Sequence, residues 1–466
     1  MSVCVATNVC IATNVCVATN VCIATEQKEH DDLFESICIL IDAYIRLNIN
    51  QYIQPNFHEL VIGDVMHTLR QTFIDLPEYP LDLTEVERGL TLFYKHIAPA
   101  RSNGPSFVRR KPRVTPMRKK IAYLQEIPQP EQRTKEWYEF RYKHLTASNI
   151  WKAFISESTR NQLIFEKCQP LNTEKFSGVS LDSPMHWGQK YEPVSVALYE
   201  HIYAAKVSDF GCIPHRTLDF LAASPDGIVT DEGSLRYGRM LEVKNIVNRE
   251  INGIPKMEYW VQMQVQMEVC ELNECDFLET RFQEYASEEE YAADTLMQYK
   301  GMMMLFMGAN GKPQYEYAPL SLSVSDSNSV SDSNSVSDSN SVSDSNSVSD
   351  SNSVSVSVSN SVSDSNSVSN SNSWQESMMD KNSNLTWIKN IYWKLEQLSC
   401  VLVLRNKLWF KAAIPQLKNI WATIEKEKTS GYSHREPKKI QRSKKTYTGT
   451  DNEEIVMTSQ CFITIV

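Results

Sequence analysis

The chain has 466 residues, of which 42% are hydrophobic and 22% are charged, a composition typical of globular proteins with two or three packed domains. This composition excludes a wholly disordered chain and a small domain held together by disulfides. The formal net charge of −10 at pH 7 also excludes a global attraction to nucleic acid, so any such attraction must come from local basic clusters.

The cysteine pattern and the hydropathy indicate a soluble protein of a reducing, intracellular compartment. Four of the 11 cysteines are copies within a short repeat, and no CxxC pair offers zinc ligands at the usual spacing. No run of roughly 18 apolar residues is present, and the N-terminus lacks the basic segment of a secretory signal. We therefore expect no membrane association.

Two segments have repetitive sequences. Residues 1–25 repeat the hexapeptide Thr-Asn-Val-Cys-(Val/Ile)-Ala in only four copies, too few for a stacked solenoid, and we interpret them as an expanded coding repeat without a fold. Residues 321–373 repeat Ser-Val-Ser-Asp-Ser-Asn, with six Asp and no Lys, Arg or Glu. Their few apolar groups cannot offset the entropy of the chain, so we predict a disordered insertion.

Residues 27–120 are predicted to form a helical region with a basic linker. Apolar residues such as Leu33, Ile37 and Ile41 recur at helical spacing. The region ends in residues 101–120, which hold eight basic residues and no acidic one. Two interpretations stay open for this last segment: a solvated linker, or a contact with the phosphate backbone of nucleic acid.

Residues 125–310 alternate short β-rich runs with helical runs, which predicts an α/β domain. Its central motif is Ser-Pro-Asp226-Gly, followed after a turn-rich stretch by Leu-Glu242-Val243-Lys244 on a second strand. Alternation along a strand places Glu242 and Lys244 on the same face. Two carboxylates and an ammonium on adjacent strands suit a divalent cation and a positioned water, although the pattern alone also fits an exposed turn with a surface ion pair.

Three further motifs surround this centre. Ser148 is expected to cap a helix and to form a phosphate cradle with Arg141, while Glu192 adds a third acidic group. Tyr259 shares a helix face with two glutamines, for which a solvated face is the alternative. The motifs are Trp137-Tyr-Glu-Phe-Arg141-Tyr-Lys-His-Leu-Thr146-Ala-Ser148, His186-Trp-Gly-Gln-Lys-Tyr-Glu192 and Tyr259-Trp-Val-Gln262-Met-Gln264-Val-Gln266-Met267.

In this order, the five motifs resemble the phage lambda exonuclease and YqaJ-like viral recombinase family over residues 130–285. The resemblance implies a restriction-endonuclease-like PD-(D/E)xK fold, with a mixed central sheet flanked by helices. It also implies degradation of one strand of double-stranded DNA from its 5′ end in recombination or repair. The implied partners are a single-strand annealing protein and, in a ring trimer, further copies of the chain. If the source is viral, the expected location is the host cytoplasm or a viral factory.

The resemblance assigns roles to individual residues. It implies Asp226 and Glu242 as metal ligands, with the Val243 carbonyl as a further one. Glu192 is expected close to a second metal, and Lys244 is expected to orient or activate the attacking water. The hardness of these oxygen ligands favours Mg²⁺, or Mn²⁺, over zinc. The remaining implied residues are Tyr259 and the catalytic Gln262 beside the active site, with Arg141 and Ser148 around the terminal 5′-phosphate.

The end of the nuclease domain is expected beyond the repetitive insertion. After the glutamine helix, residues 276–282 are predicted as a strand, and a helical run is predicted through Met307. The β-rich run from Tyr392 and the helical run behind it match the strand and closing helix of the family, so residues 385–430 are expected to complete the domain. Residues 431–466 are predicted to be a basic C-terminal tail.

Two other functions stay open from the sequence. One is an endonuclease of the same superfamily that acts on branched or damaged DNA, and the other is a catalytically silent nucleic-acid-binding protein. The complete set of Asp226, Glu242 and Lys244 argues against the silent protein, because clustered carboxylates beside phosphate are costly. Arg236 and Arg239 add positive charge near the predicted metal site without an assigned role.

Overall fold

The computed structural model divides the chain into two compact units, Met1–Arg281 with Gln397–Val466, and Phe282–Glu396. The hexad repeat of residues 1–25 lies outside the described residues, as do most of the insertion 321–373 and most of the tail 431–466. The structure describes residues 32–72, 83–130, 132, 134–171, 181, 183–309, 311–322 and 371–437.

Helices and strands alternate through the middle of the chain, as expected for an α/β domain. In chain order, the helices are α1 over residues 32–47, α2 Phe57–Thr72, α3 Leu83–His96, α4 Val114–Glu126, α5 Lys135–Tyr142, α6 Ala147–Ile150, α7 Lys152–Ile155, α8 Glu157–Cys168, α9 Pro184–Tyr203, α10 Met257–Val269, α11 Glu288–Ala293, α12 Ser371–Lys381 and α13 Lys407–Ser430. The strands are β1 Leu145–Thr146, β2 Val207–Ser208, β3 Ile213–Pro214, β4 Leu221–Ala223, β5 Gly227–Val229, β6 Met240–Asn245, β7 Glu274–Glu284, β8 Lys300–Met307, β9 Pro313–Tyr317 and β10 Thr386–Leu404.

The sheet of the first unit is mixed. Its strand order is β2-β5-β6-β7-β10, in which β5 runs antiparallel to β2 and β6, whereas β6 and β7 are parallel. A second, three-stranded sheet has the order β1-β4-β3. Because side chains alternate along β6, Leu241 and Val243 pack with Tyr199 of α9, while Met240 packs in the cluster that contains α10 and α13. The predicted fold class, a mixed sheet flanked by helices, is confirmed.

The predicted helical region shares its core with this α/β layer. A short 3₁₀ helix, Ile49–Ile53, follows α1 and buries Tyr52. The Tyr52 ring stacks on Trp260 of α10 at 5.9 Å, and Trp260 in turn contacts Trp409 of α13 edge-on at 5.1 Å. Helices on both sides of the sequence insertion are therefore held by one aromatic cluster.

The first part of the basic linker is attached to the sheet and is not a solvated connection. Asn103 N–H donates to the Leu402 carbonyl of β10 at 2.9 Å, and Ser106 N–H donates to the Cys400 carbonyl at 2.9 Å. Leu402 N–H returns a hydrogen bond to Gly104 at 3.1 Å. The solvated-linker interpretation is thus wrong for residues 103–106, which pair like an additional edge strand.

The second unit contains α11, β8, β9, α12 and the first part of β10. The strand β8 pairs antiparallel with both β10 and β9. The helical run predicted through Met307 is wrong here, because the methionine-rich residues 300–307 form the buried strand β8. The predicted insertion also ends slightly too late, since α12 begins at Ser371.

None of the helices in the described parts of the chain is long and apolar enough to cross a membrane. The cysteines within the same parts are free thiols.

Candidate active site

The central motif folds as a tight pair of strands. Asp226 precedes β5 directly, and Gly227 is the register partner of Leu241 on β6, which brings Asp226 beside the following residues of β6. A Cβ atom on Gly227 would lie 2.2 Å from the Val207 side chain, so only glycine lets β2 approach this closely. The Asp226 Oδ2 atom accepts a hydrogen bond from Val243 N–H at 2.8 Å.

Glu242 lies at the centre of the candidate site and is completely buried. One of its carboxylate oxygens accepts from the Lys244 ammonium, and the other accepts from the Gln266 amide at 2.7 Å. The same Gln266 nitrogen donates to the Ser224 carbonyl at 3.0 Å, which joins α10 to the Ser-Pro-Asp-Gly turn. Asp226, Glu242 and Lys244 are therefore brought together as the sequence predicts.

The charges of this group do not balance. Burial and the nearby charge of Asp226 raise the pKa of Glu242 to about 7, although Lys244 and Gln266 oppose the shift. Burial also raises the pKa of Asp226, against the effect of Lys244. Burial lowers the pKa of Lys244, but the two carboxylates outweigh it and raise this pKa overall. Two buried carboxylates thus share one ammonium, and a further cation would relieve their repulsion.

The donor atoms fit a hard divalent cation at this position. Asp226 and Glu242 supply carboxylate oxygens, and the Val243 carbonyl points to the same strand edge as its N–H, which meets Asp226. The Oε1 atom of Gln266 is a buried acceptor without a donor among the described residues, so it can accept from a water ligand. Asp226, Glu242 and the Val243 carbonyl are three of the four predicted ligands, and their binding of a metal stays a prediction.

Glu192 is placed differently from the other predicted ligands. It lies half-buried on α9, the helix that covers the opposite face of β6 from α10. Among the residues that the structure describes, no three His, Cys, Asp or Glu side chains come together as a metal-binding group. The structure therefore does not group Glu192 with Asp226 and Glu242, and its role near a second metal stays a prediction.

The glutamines of α10 have different partners. The side chain of Gln262 is half-buried and makes no hydrogen bond to any described residue, whereas the side chain of Gln266, one turn further, donates to Glu242. Gln264 donates to the Leu404 carbonyl at 3.0 Å and accepts from Asn406 N–H at 2.6 Å. The sequence places Gln262 and Gln266 on one helix face by their i, i+4 spacing, but only Gln262 was predicted to be catalytic and Gln266 was assigned no role.

Tyr259 lies beside Lys244. Its ring centroid is 5.2 Å from the Lys244 ammonium and 5.7 Å from the Arg249 guanidinium. Arg249 also forms an ion pair with the buried Glu279 of β7, which is the register partner of Lys244. The predicted position of Tyr259 next to the site agrees with this geometry, and Arg249 is an additional cation that the motifs did not reveal.

Arg141 and Ser148 are in direct contact. The Arg141 guanidinium donates to Ser148 Oγ at 2.9 Å and lies 4.4 Å from the Trp137 ring centroid. Burial lowers the pKa of Arg141. The expected capping role of Ser148 is wrong, because Thr146 is the N-cap of α6 and forms a capping box with Asn149.

A second cation supports Arg141. The Lys167 ammonium of α8 donates to the carbonyls of Arg141 and His144 at 2.7 and 2.6 Å, at the end of α5. Burial and the positive charge of Arg141 lower the pKa of Lys167 to about 7. The buried Cys212 thiol lies beside both Arg141 and Ser224, and Ser224 is two residues before Asp226. The paired cations therefore adjoin the carboxylate site and favour an anion.

Arg236 and Arg239 have a structural role. Both guanidinium groups bind the buried Asp276 of β7, and Arg239 also binds Glu274 at 2.5 Å. The hydroxyl of Ser106 donates to Asp276 at 2.5 Å, and Tyr199 OH donates at 2.7 Å. These arginines therefore fasten the β5–β6 connection and the basic segment to β7.

The segment that carries these motifs matches a known family. Residues 136–273 match the model of the YqaJ-like viral recombinase domain. The chain is 26% identical over 319 residues to the uncharacterized protein R354 of Acanthamoeba polyphaga mimivirus, covering 65% of this chain and 54% of that protein. The chain thus spans about half the length of this curated relative.

Solved structures with similarity include an alkaline exonuclease from Laribacter hongkongensis, alone and in complex with dAMP. Both are 27% identical, with a TM-score of 0.26, and the match covers 32% of this chain and 74% of that chain. The family match includes Arg141, Asp226, Glu242 and Gln266. The resemblance that the motifs indicate is thereby confirmed for residues 136–273, which match a YqaJ-like viral recombinase domain.

Proposed function

We propose that this protein is a metal-dependent deoxyribonuclease that hydrolyses phosphodiester bonds from 5′-phosphorylated ends of duplex DNA. The observation that carries the proposal is the buried pair of Asp226 and Glu242 with a single ammonium, that of Lys244, between them. A purely structural ion pair would contain one carboxylate and one ammonium, because a second buried carboxylate adds repulsion. The location of the pair within a YqaJ-like segment supports the same conclusion.

Each residue of the candidate site has a different proposed role in hydrolysis. Asp226, Glu242 and the Val243 carbonyl would hold Mg²⁺ or Mn²⁺, which supplies polarisation of a water molecule and compensation of the charge that grows on the phosphorane. Lys244 has a raised pKa and stays an ammonium, so it orients the water and stabilises negative charge and does not act as a base. Gln266 keeps Glu242 in position. Glu192 and Gln262 would act from the edge of the site.

The cations beside α6 would select the end of the substrate. Arg141 offers two donors to a terminal 5′-phosphate, Ser148 adds a hydroxyl, and Lys167 adds a positive charge behind them. Recognition of this phosphate next to Asp226 would make cleavage begin at the 5′ end. Double-stranded DNA is therefore the proposed substrate, in an intracellular setting with an annealing protein and, in a ring trimer, with other copies of the chain.

The test is incubation of the full chain with Mg²⁺ and blunt duplexes that carry either a 5′-phosphate or a 5′-hydroxyl. We expect mononucleotides from the phosphorylated duplex and slow or no release from the other. Arg141→Ala should remove this preference and cost about ten- to a hundredfold on the phosphorylated duplex, the range for a hydrogen bond to a charged group. Internal cuts in end-labelled or branched DNA would instead identify the endonuclease. Binding without any hydrolysis would identify the silent binding protein.

A further inference from the structure

A small cavity lies between α4, the end of α10 and the residues that follow β3. Its volume is about 250 Å³, below the roughly 300–1,000 Å³ that small-molecule sites occupy. Leu124, Val269 and Cys270 provide apolar lining, while Lys119, Tyr123 and Arg216 provide polar lining. The cavity is therefore unsuited to a cofactor but has room for a small part of a polymer.

The charge around this cavity is positive. Lys119 and Arg216 are exposed, and neither forms an ion pair with a residue that the structure describes. Lys120 is held by the Glu271 carbonyl at 2.5 Å, with the Glu271 carboxylate 3.6 Å away. Three cations thus face one carboxylate, and two of the three are available to an anion.

Two elements that line the cavity, α10 and the connection between β3 and β4, also contribute residues near the candidate active site. Gln266, which holds Glu242, lies on α10 one turn before Cys270, about 6 Å along the axis at 1.5 Å per residue. Arg216 stands on the connection into β4, which ends three residues before Asp226. The cavity and the candidate active site are therefore connected through α10 and through the segment from β3 to β4.

The exposed aromatic ring decides which form of nucleic acid fits. Tyr123 is 47% exposed and lies one helical turn from Lys119, so ring and ammonium share one face of α4. Cations that follow a backbone next to an aromatic ring are the features by which proteins bind single strands, because unpaired bases can stack on the ring. The bases of an intact duplex are already stacked on one another and offer only their edges.

We infer that this cavity binds single-stranded DNA next to the cleavage site. One backbone phosphate lies between Lys119 and Arg216, and one unpaired base stacks on Tyr123. The inference rests on the proposed function, since removal of one strand leaves the other strand single at the cleavage site.

Binding without hydrolysis measures this contact directly. The full chain is titrated in EDTA with fluorescent oligo(dT) that carries a 5′-hydroxyl, and in parallel with a 5′-phosphorylated blunt duplex. Tyr123→Ala should weaken oligo(dT) binding about five- to a hundredfold and duplex binding far less. Tyr123→Phe keeps the ring and should bind oligo(dT) like the wild type.

The charged residues are tested by salt dependence. Lys119→Gln with Arg216→Gln should lower the magnitude of the log–log salt slope for oligo(dT) by about 0.7, the value for one lost phosphate contact. The matched control is Lys411→Gln with Lys418→Gln, two exposed lysines of α13, which changes the net charge equally and should leave the slope unchanged.

Three results would overturn the inference. They are unchanged oligo(dT) binding by Tyr123→Ala, an equal loss for oligo(dT) and duplex, or an equal change of slope in the control pair. Hydrolysis of phosphorylated duplex by these variants at the wild-type rate would leave the proposed function standing. A wild-type chain that neither binds nor cleaves phosphorylated duplex would overturn the proposed function and this inference together.

Discussion

Two buried ionic clusters occupy opposite faces of the β6–β7 strand pair, and they differ in charge balance. On the face toward α10, Glu242 and Asp226 share the ammonium of Lys244. On the face toward α9, Asp276 binds both Arg236 and Arg239. Glu242 and Asp276 are equally buried, at 0% exposure, so burial does not distinguish them.

The two clusters differ in whether their positive and negative charges are equal in number. In the Asp276 cluster, the two guanidinium charges are balanced by the carboxylates of Asp276 and Glu274, and two hydroxyl groups donate to Asp276. The Glu242 cluster has an excess of negative charge and a buried acceptor on Gln266 without a donor. A buried cluster whose charges balance contributes to stability. A buried cluster with excess negative charge, which a cation would neutralise, indicates a functional site.

The largest expected effect is on catalysis by Glu242→Gln. We expect hydrolysis of phosphorylated duplex to fall on the order of 10³-fold, because loss of one metal ligand removes several kcal/mol of transition-state stabilisation. The free energy of unfolding should stay equal or rise, since a buried charge repelled by Asp226 disappears. Activity assays and urea unfolding measure both quantities.

Glu232→Gln provides the control, because Glu232 lies in the same β5–β6 connection but forms an exposed pair with Arg118. Wild-type activity and stability are expected for it. Substantial residual activity of Glu242→Gln would contradict the site assignment.

The opposite outcome is expected for Asp276→Asn. It leaves Arg236 and Arg239 buried without their main partner, so the free energy of unfolding should fall by about 3–5 kcal/mol, the range for breaking a buried ion pair. The protein that remains folded at low temperature should still cleave DNA. Urea unfolding at several temperatures, with activity read in parallel, tests the contrast; loss of activity without loss of stability would assign Asp276 to catalysis.

The carboxylate motif was predictable because its information is local. Strand alternation places Glu242 and Lys244 on one face, and the turn residues around Asp226 bring the first strand alongside. The sequence also predicts that residues 385–430 complete the nuclease domain. In the structure, residues 385–396 belong to the second unit, whereas Trp409 of α13 packs on Trp260 in the first unit.

Contacts between distant segments were not predictable in the same way. The residues around Arg236 in the sequence do not predict its ion pair with Asp276, which lies 40 residues away. Lys167 appears as an ordinary polar position of α8 until its ammonium reaches the end of α5. The strand β8 was misread as helix because methionine has good helix propensity, and strand pairing on both sides overrides that preference.

A smaller effect is expected on the preference for 5′-phosphorylated ends when a change of pH alters the charge of Lys167. With a pKa lowered to about 7, its ammonium attracts a 5′-phosphate below that pH and becomes neutral above it. Preference for phosphorylated over hydroxyl ends should therefore fall roughly tenfold between pH 6.5 and 8.5, about one hydrogen bond to a charged group. The charged and titratable groups that act on Lys167 are Arg141, Glu166, Cys212 and Lys428.

Lys167→Met separates this effect from titration of the phosphate itself, whose second pKa is about 6. The variant should lack the change between the two pH values, whereas both proteins share the titration of the ligand. Equilibrium binding in EDTA gives the ratio of affinities at each pH. Parallel profiles of wild type and variant would mean that Lys167 only supports the carbonyls of Arg141 and His144.

The smallest effect is expected from removal of residues 323–370. They connect two ends of the second unit, after Leu322 and before α12, and the cost of loop closure changes only by roughly 0.6 kcal/mol for each doubling of length. Replacement by a short Gly/Ser linker should therefore leave activity and the unfolding midpoint nearly unchanged. A chain that ends at residue 322 is the contrasting case, because it loses Trp409, Leu417 and Ile424 from the core of the first unit and should be insoluble or inactive. A soluble and fully active fragment of this length would show that β10 and α13 are dispensable for the nuclease.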